Sequence, residues 1–302
     1  MIGDDQATRG TPRVALVTCS ALPDLDPDDR LLLGPLADRG VRAVPVVWDD
    51  AGMDWSSVSL AVIRSTWDYP ARRPEFTAWA RTVPALANPA DVLEWNTDKT
   101  YLDGLSRTLP TVPTEWIPPD RTWSLPPAGD YVIKPTISAG SRDTGRYDLT
   151  DPEHRAAARA HLGRLAEAGR TGMVQPYLAA VDTLGETALI YLADPDGLRF
   201  SHAIRKGPML TGPDTGVEGL YLAEKIEARV PEPAEVELGD RVLAAVPGGP
   251  ERLLYARVDL IPGPDSRPVL VELELTEPSL FLSHAPGAPD QLADAIAARL
   301  LR

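Results

Sequence analysis

The sequence is poor in cysteine. Its single cysteine among 302 residues, Cys19, excludes an internal disulfide framework and favours a reducing, cytoplasmic location. No candidate base stands beside Cys19 in the sequence, so we expect a buried structural thiol rather than a nucleophile. Apolar runs of transmembrane length and a signal-peptide pattern are also missing, so we expect no membrane-spanning segment.

Positive charge is in deficit, with a formal net charge of −14 at pH 7. Nucleic acids and anionic membranes repel such a chain, so neither is expected as a partner. Hydrophobic residues make up 43% and charged residues 25%, values typical of soluble globular proteins. At 302 residues the chain exceeds one typical core, which predicts two or three subdomains.

Lysine is also rare, because arginine supplies most of the 30 basic residues. The lysines are Lys99, Lys134, Lys206 and Lys225. A phosphate contact that needs a compact ammonium on a flexible stem cannot always accept the planar guanidinium of arginine. The positions that remain lysine are therefore the first candidates for a phosphate site.

The N-terminal third alternates between strands and helices. Strands are predicted over 13–19, 41–48 and 59–65, with helices over 28–39 and around 74–86. Short links between such elements favour a parallel sheet with helices on its faces.

Polar residues follow the third of these strands, where parallel sheets commonly bind ligands. Arg64 could clamp a substrate carboxylate, and Thr66 or Asp68 could orient an amine. Alternatively, Arg64 pairs with a neighbouring acid. The aromatic and polar character of the segment favours the substrate-binding interpretation.

Two lysines stand close to the ends of predicted elements. Lys99 falls in the first turn of a helix that Asn96 or Thr97 would cap. A cation there opposes the helix dipole, so helix stability does not explain the placement of Lys99. Lys134 ends a strand over 130–135.

A small, polar, glycine-punctuated loop follows Lys134 over 136–146. Its N–H groups and hydroxyls could surround phosphate oxygens, and an ordinary mobile loop is the alternative. A helix is predicted from Asp151 to Gly169, and its histidines His154 and His161 are interpreted as surface residues. Further on we predict strands over 172–178, 184–192 and 198–207, a loop over 208–222, and helices over 233–246 and 289–301.

A hairpin is predicted from strands over 253–261 and 268–276, which flank the turn-rich linker PGPDSR. Because strand side chains alternate between faces, Arg257 and Asp259 share one face of the first strand. Glu272 and Glu274 share one face of the second strand, and the opposite, core face takes Val271, Leu273 and Leu275.

Three carboxylates gathered on one patch would repel one another. Two of them about 4 Å apart repel by roughly 4 kcal/mol at an effective dielectric constant near 20. Hard oxygen ligands at this density suit Mg²⁺, which usually enters with substrate phosphates. The alternative is a solvent-facing polar side of an edge hairpin.

The order of these motifs resembles the ATP-grasp superfamily. The motifs are Lys99, Lys134 with its Ser/Gly loop, QPYL at 175–178, GE at 185–186, Arg205, and Asp259 with the ExE of 272–274. The resemblance implies an α/β plus α+β fold, in which a parallel-sheet domain precedes two α+β subdomains that enclose ATP. The implied division is a loose tail over 1–12, an N-terminal α/β domain over 13–95, a linker with a small ATP-binding subdomain over 96–178, and a C-terminal subdomain with the metal-binding hairpin over 179–302.

The resemblance also implies roles for individual residues. For ATP it implies contacts to phosphates by Lys99, Lys134 and the loop residues Ser138 and Ser141, to adenine by Gln175, Tyr177 and Leu178, and to ribose by Asp182 or Glu186. For catalysis it implies Arg205 near the γ-phosphate. To this we add Arg257, which lies on the carboxylate face and could hold the acyl phosphate oxygens. For Mg²⁺, with two ions expected, it implies the ligands Asp259, Glu272 and Glu274, the last in place of a common asparagine. For the substrate we add Glu277 and Ser279 to the cluster of Arg64, Thr66 and Asp68.

Finer motifs such as IRSTWDYP and VELELTEPSLFL resemble the ATP-grasp subgroup that includes a cycloserine-forming O-ureido-serine cyclo-ligase. That resemblance implies an ATP-dependent carboxylate–amine ligase that works through an acyl phosphate and closes O-ureido-D-serine to D-cycloserine. The expected partner is a small amino-acid-like substrate, and the sequence leaves open whether the chain forms a homo-oligomer. The alternatives are an intermolecular amino-acid or peptide ligase, a non-catalytic nucleotide-binding module, and a kinase that stops at a phosphorylated product.

Overall fold

A computed structural model describes residues 13–121, 123–194, 197–214, 216 and 225–301. The tail expected over 1–12 lies outside the described residues, as does much of the predicted 208–222 loop. Within the described part of the chain, no helix is both long and apolar enough to cross a membrane.

The N-terminal sheet is parallel, as predicted, with strand order β2-β1-β3-β4. Its elements are β1 (Arg13–Thr18), α1 (Leu33–Asp38), β2 (Arg42–Val47), β3 (Leu60–Ser65), α2 (Arg73–Thr82), β4 (Leu86–Ala87) and α3 (Ala90–Asn96). Residues 14–17 of the central strand β1 are fully buried, as a strand covered on both faces requires. The helix predicted over 28–39 is instead a 3-10 turn, Asp29–Leu32, that leads into α1.

The middle segment forms an antiparallel sheet with strand order β5-β8-β6-β7. Its elements are α4 (Tyr101–Leu105), β5 (Glu115–Ile117), β6 (Asp130–Pro135), β7 (Gly145–Asp148), α5 (Pro152–Glu167), β8 (Gly172–Pro176) and α6 (Val181–Leu184). Helix α5 starts as predicted, because the Asp151 side chain accepts a hydrogen bond from the Glu153 N–H at 2.8 Å.

Two predictions in this segment are wrong. Asn96 and Thr97 do not cap a helix at Lys99, because they end α3 and the next helix begins at Tyr101. His161 is only 1% exposed, and its Nδ1 lies 2.8 Å from the Tyr147 hydroxyl. His154 is half-buried and accepts a hydrogen bond from the Asp148 N–H. Both histidines of α5 therefore face the sheet rather than solvent.

The C-terminal segment forms an antiparallel sheet with strand order β11-β10-β9-β12-β13. Its elements are β9 (Glu186–Asp194), β10 (Gly197–Lys206), β11 (Ile226–Arg229), α7 (Pro233–Ala244), β12 (Tyr255–Pro262), β13 (Pro268–Glu274) and α8 (Ala288–Arg299). The three sheets are thus formed by consecutive parts of the chain, within residues 13–87, 115–176 and 186–274.

The C-terminal helix joins the first and last segments. Leu292 and Ile296 of α8 are fully buried in one hydrophobic cluster with Leu16 and Leu36 of the N-terminal segment and Ile190 of β9. Burial of such side chains stabilises each by about 1.5–3 kcal/mol. This shared core packs α8 against the N-terminal sheet and against β9.

Candidate active site

A cleft of about 440 Å³ lies where the three segments meet. Its described lining carries four cationic side chains, Lys99, Lys134, Lys206 and Arg257. It also carries seven carboxylates, Asp26, Asp28, Glu186, Asp259, Glu272, Glu274 and Glu277. The excess of acids makes the cleft a place where further cations are stabilised.

The β12–β13 hairpin supplies the centre of this lining. Its register sets Arg257 opposite Glu274 and Asp259 opposite Glu272, so all four side chains share the predicted face. A bulge follows, and Leu260 pairs with Leu270. Leu270 is therefore the fully buried core residue, whereas Val271 is half-buried at the cleft, which corrects its predicted place on the core face.

Two side chains outside the hairpin fix β13. The Asn96 amide donates to Leu273 O and accepts from Leu275 N, both at 2.8 Å. The Tyr101 hydroxyl lies 2.8 Å from both the N and the O of Leu273. These contacts explain why Asn96 is buried, and they orient the glutamates on either side of Leu273.

Glu272 faces two of the scarce lysines. Its carboxylate lies 3.1 Å from Lys99 Nζ and 3.8 Å from Lys134 Nζ. Burial alone would raise the pKa of Glu272, but the two ammonium groups hold it below its usual value. Lys99 Nζ also donates to Ser138 O at 2.8 Å and lies 3.1 Å from Ser138 Oγ, so the loop after β6 contacts the same cluster.

Asp259 faces a lysine and an arginine. Arg257 donates to both its oxygens at 2.9 Å, and Lys206 Nζ lies at 2.8 Å and also pairs with Glu186. Burial alone would raise the pKa of Asp259, yet these cations hold it well below its usual value. Arg257 also pairs with Glu274.

Arg205 does not face this cluster, which corrects its predicted place near the γ-phosphate. Its guanidinium donates to Leu184 O at 2.6 Å and Thr183 O at 2.5 Å, away from the described lining. Neighbouring residues on β10 point to opposite faces, so Lys206 enters the cleft instead. The scarcity of lysine already singled out this position.

The acidic residues of the hairpin have the ligand chemistry for Mg²⁺. Within the described ranges, no three His, Cys, Asp or Glu side chains converge closely enough to form a preassembled metal site. Instead Asp259, Glu272 and Glu274 each pair with a lysine or arginine. Burial and then neighbouring carboxylates raise the pKa of Glu274 to about 7 and that of Glu277 to about 8. Carboxylate oxygens in such surroundings fit a hard divalent cation.

The predicted adenine-binding residues also line the cleft. Gln175, Tyr177 and Leu178 all contribute to the cleft, and Gln175 Nε2 donates to Thr114 Oγ1 at 2.8 Å. The Arg146 guanidinium lies 3.7 Å above the centroid of the Tyr177 ring. Of the two predicted ribose ligands, Asp182 does not line the described part of the cleft and is bound by Tyr177 and Arg146. Glu186 does line the cleft and is therefore the candidate that stays.

The predicted phosphate loop borders the cleft through Ser138 and Ser141. Gly140 and Ser141 both have positive φ angles, +61° and +57°. Only the glycine adopts this conformation readily. The guanidinium of Arg142 donates to Trp67 O at 3.0 Å and so connects the loop to the N-terminal segment.

Arg64 lies outside the described lining, which corrects its predicted contact with substrate. It is fully buried, donates to Asp29 at 2.9 Å and to Pro278 O at 2.7 Å, and stacks 4.9 Å from the Tyr255 ring centroid. The alternative of a structural ion pair is therefore correct. Asp68 accepts from Trp48 Nε1 at 3.0 Å, and Thr66 is fully buried, so neither of them reaches the cleft.

Glu277 and Ser279 line the cleft where substrate contacts were predicted. Tyr69, Trp67 and Asp28 also border it, although the sequence did not single them out as ligands. Asp28 accepts hydrogen bonds from Leu282 N at 2.7 Å and Ser283 N at 2.8 Å. Asp28 therefore fixes a part of the cleft wall that comes 254 residues later in the sequence, and sequence spacing could not indicate this contact.

Replacing Lys134 should show whether the scarce lysines bind the nucleotide. We expect Lys134→Ala to lower kcat/KM by about 10²–10³-fold, because it removes a buried ammonium that we assign to the ATP phosphates. Lys225→Ala is the matched control, since that side chain is 80% exposed and pairs with Glu227, two residues away. Equal steady-state losses in the two variants would contradict the assignment.

Comparison with known proteins identifies the family. Residues 14–89 match a family model described as the N-terminal domain of D-cycloserine synthetase DcsG. The chain is 34% identical to the cycloserine biosynthesis protein DcsG of Streptomyces lavendulae, over 95% of this chain and 98% of that protein. The chain belongs to the DcsG family of ATP-grasp ligases.

The solved structures agree with this ATP-grasp assignment. The crystal structure of D-cycloserine synthetase DcsG matches with a TM-score of 0.83 and 32% identity, over 95% of this chain and 99% of that chain. D-alanine–D-alanine ligase from Bacillus anthracis, complexed with ATP, has a TM-score of 0.62 at 13% identity, over 96% and 98% of the two chains, and shows the shared fold alone.

The predicted fold class is thereby confirmed. As a DcsG-family ATP-grasp ligase, the protein is an ATP-dependent enzyme that forms C–N bonds and uses ATP and Mg²⁺.

Proposed function

We propose that this ligase closes O-ureido-D-serine to D-cycloserine through an acyl phosphate. The observation that carries the proposal is the similarity to the S. lavendulae cycloserine biosynthesis protein across 95% of the chain. The charged cleft between the three segments adds the means to bind a nucleotide and an amino acid together. A biosynthetic role in the cytoplasm follows from the same proposal.

A free carboxylate resists attack by a nitrogen because resonance and negative charge make it a poor electrophile. Transfer of the γ-phosphoryl group to one carboxylate oxygen supplies a leaving group. The nitrogen bonded to oxygen in the ureido group then forms the C–N bond, and inorganic phosphate leaves with the carboxylate oxygen. The carbamoyl group leaves as carbon dioxide and ammonia, with one water consumed, to give the five-membered ring.

We assign Lys99 and Lys134 to neutralise the phosphates, and the burial of both side chains supports this assignment. In a cleft with low dielectric constant, such preorganised cations stabilise developing charge more strongly than water does. We assign Arg257 to the acyl phosphate oxygens, because it lies on the hairpin face and also donates to Ser279 O at 3.2 Å. Gln175, Tyr177 and Leu178 are assigned to adenine.

Asp259, Glu272 and Glu274 would hold Mg²⁺, which when bound neutralises phosphate charge and polarises the γ-phosphoryl group. We propose two ions, because the described lining already has more carboxylates than cationic side chains before ATP brings further negative charge. With Mg²⁺ bound to these carboxylates, the lysines that pair with them in this structure would contact the phosphates instead.

The test measures ADP release with Mg²⁺ and ATP against a panel of small amino acids that includes both enantiomers of O-ureido-serine. We expect strong stimulation by O-ureido-D-serine alone and a cyclised product by mass spectrometry. Stimulation only by pairs of amino acids would replace cyclisation with intermolecular ligation. A stable phosphorylated product would indicate a kinase, and silence across the panel would contradict catalysis on amino acids.

A further inference from the structure

The segment that follows β13 is held in an unusual way. Each of the four successive carbonyl oxygens of residues 276–279 lies within hydrogen-bonding distance of a buried side-chain donor. The contacts are Tyr255 Oη to Thr276 O at 2.9 Å, Trp67 Nε1 to Glu277 O at 2.9 Å, Arg64 Nη2 to Pro278 O at 2.7 Å, and Arg257 Nη1 to Ser279 O at 3.2 Å. We call residues 276–279 the clamped segment.

The donors come from two different segments of the chain. Arg64 belongs to β3 of the N-terminal sheet and Trp67 follows that strand, whereas Tyr255 and Arg257 belong to β12. All four donors are buried, so water competes little for these carbonyl oxygens. The backbone of the clamped segment is therefore fixed from both sides, and its side chains have defined positions.

Glu277 is the acidic residue of the clamped segment. It is 9% exposed and borders the cleft beside Tyr69, whose hydroxyl interacts with its carboxyl and which is itself 3% exposed. Tyr69 is fixed in turn by stacking on Phe76, with ring centroids 4.9 Å apart. The Glu277 carboxyl thus lies beside a fixed tyrosine, and it forms no ion pair with any residue that the structure describes.

This carboxyl differs from its acidic neighbours. Glu272 and Glu274 pair with Lys99 and Arg257, respectively. Among the described residues, no basic nitrogen lies within ion-pair distance of Glu277. A buried carboxyl without a cationic partner is costly, and a cationic group on a ligand would offset that cost.

We propose that Glu277, supported by Tyr69, is the specificity-determining residue that binds the cationic α-amine of the amino-acid substrate. The inference rests on the proposed function and adds the recognition of one substrate group to it. Arg257 donates to the carbonyl two residues further along the same clamped segment, so anion-binding and cation-binding groups are neighbours there. An α-amino acid likewise carries its anionic carboxylate and its cationic amine on the same carbon atom, so one molecule could meet both groups.

Arg64 and Trp67 become positioning residues in this account. Arg64 Nη2 and Trp67 Nε1 donate to the backbone of the clamped segment, so we assign them no direct contact with the substrate. This role explains why polar and aromatic residues stand at the end of β3 and just after it, although Arg64 itself is sealed from the cleft.

The experiment compares O-ureido-D-serine with 3-(ureidooxy)propanoate, the same molecule without its α-amine. For the wild type we expect kcat/KM to favour the aminated substrate by about 10²–10³-fold. In Glu277→Gln that ratio should fall to about tenfold or less, mainly through a higher KM for the aminated substrate. The KM for ATP and the Mg²⁺ dependence should stay at wild-type values, and the exposed Glu237→Gln variant should retain the full ratio.

A loss in Glu277→Gln that is equal for both substrates would overturn the proposal, and so would a higher Mg²⁺ requirement. Tyr69→Phe keeps the carboxyl and should reduce the ratio by a smaller factor, so it tests the same point if Glu277→Gln folds poorly. If the wild type ignores O-ureido-D-serine, the proposed substrate is wrong. The same comparison is then made with whichever amino acid stimulates ADP release and its deaminated analogue, which judges Glu277 independently.

Discussion

Glu272→Gln should lower ATP-dependent turnover by about 10³-fold and weaken the binding of Mg²⁺–ATP. Glutamine keeps the size of the side chain but removes the charge that faces Lys99 and Lys134. The carboxylate offers hard oxygen ligands that an amide replaces poorly. Steady-state kinetics over a range of Mg²⁺ concentrations, together with nucleotide titration, measure both effects.

Glu237→Gln is the control for this prediction, because Glu237 is an exposed residue of α7. That variant should match the wild type. Activity close to wild type in Glu272→Gln would remove Glu272 from the proposed metal ligands and with it the role assigned to the hairpin.

Arg64→Ala should lower the free energy of unfolding by about 3–5 kcal/mol, the usual cost of breaking a buried ion pair. The substitution leaves Asp29, which is 3% exposed, without its 2.9 Å partner. It also removes the donor to Pro278 O. Urea-induced unfolding measures the loss.

Arg107→Ala provides the comparison, since Arg107 is 75% exposed and pairs with Asp103 on the surface. Its loss should cost less than about 1 kcal/mol. If Arg64→Ala kept the stability of the wild type and only raised KM for the amino acid, Arg64 would be a direct substrate ligand instead of a buried support.

Strand alternation was enough to predict which charged side chains of the hairpin share a face. It placed Arg257, Asp259, Glu272 and Glu274 on one face, and the register of the hairpin agrees. The same rule failed at Val271, because a bulge shifts the register by one residue. Nothing in the local sequence marks that bulge.

Long-range partners account for most of the other errors. Arg64 looked like a ligand because it ends a strand, but its partner Asp29 comes from a turn 35 residues earlier. Asn96 looked like a helix cap, yet its amide binds β13 some 180 residues later. A short side chain with both a donor and an acceptor, such as asparagine, can either cap a helix or bind the backbone of a distant strand. Only the tertiary structure decides between these two roles.

Arg205 and Lys206 show the limit of motif transfer. The order of the motifs pointed to Arg205, whereas the pleat of β10 directs Lys206 to Asp259. The scarcity of lysine was the better guide at this position, because the structure buries Lys99, Lys134 and Lys206 in one cleft and leaves only Lys225 exposed among the four.

Isotope transfer tests the central claim of an acyl phosphate most directly. The substrate carboxylate is labelled with ¹⁸O, the enzyme is run with Mg²⁺ and unlabelled ATP, and the inorganic phosphate is analysed by mass spectrometry. Because the activated carboxylate oxygen leaves with the phosphoryl group, we predict one ¹⁸O atom in each phosphate released with cyclised product. Phosphate without the label, formed alongside that product, would contradict the mechanism.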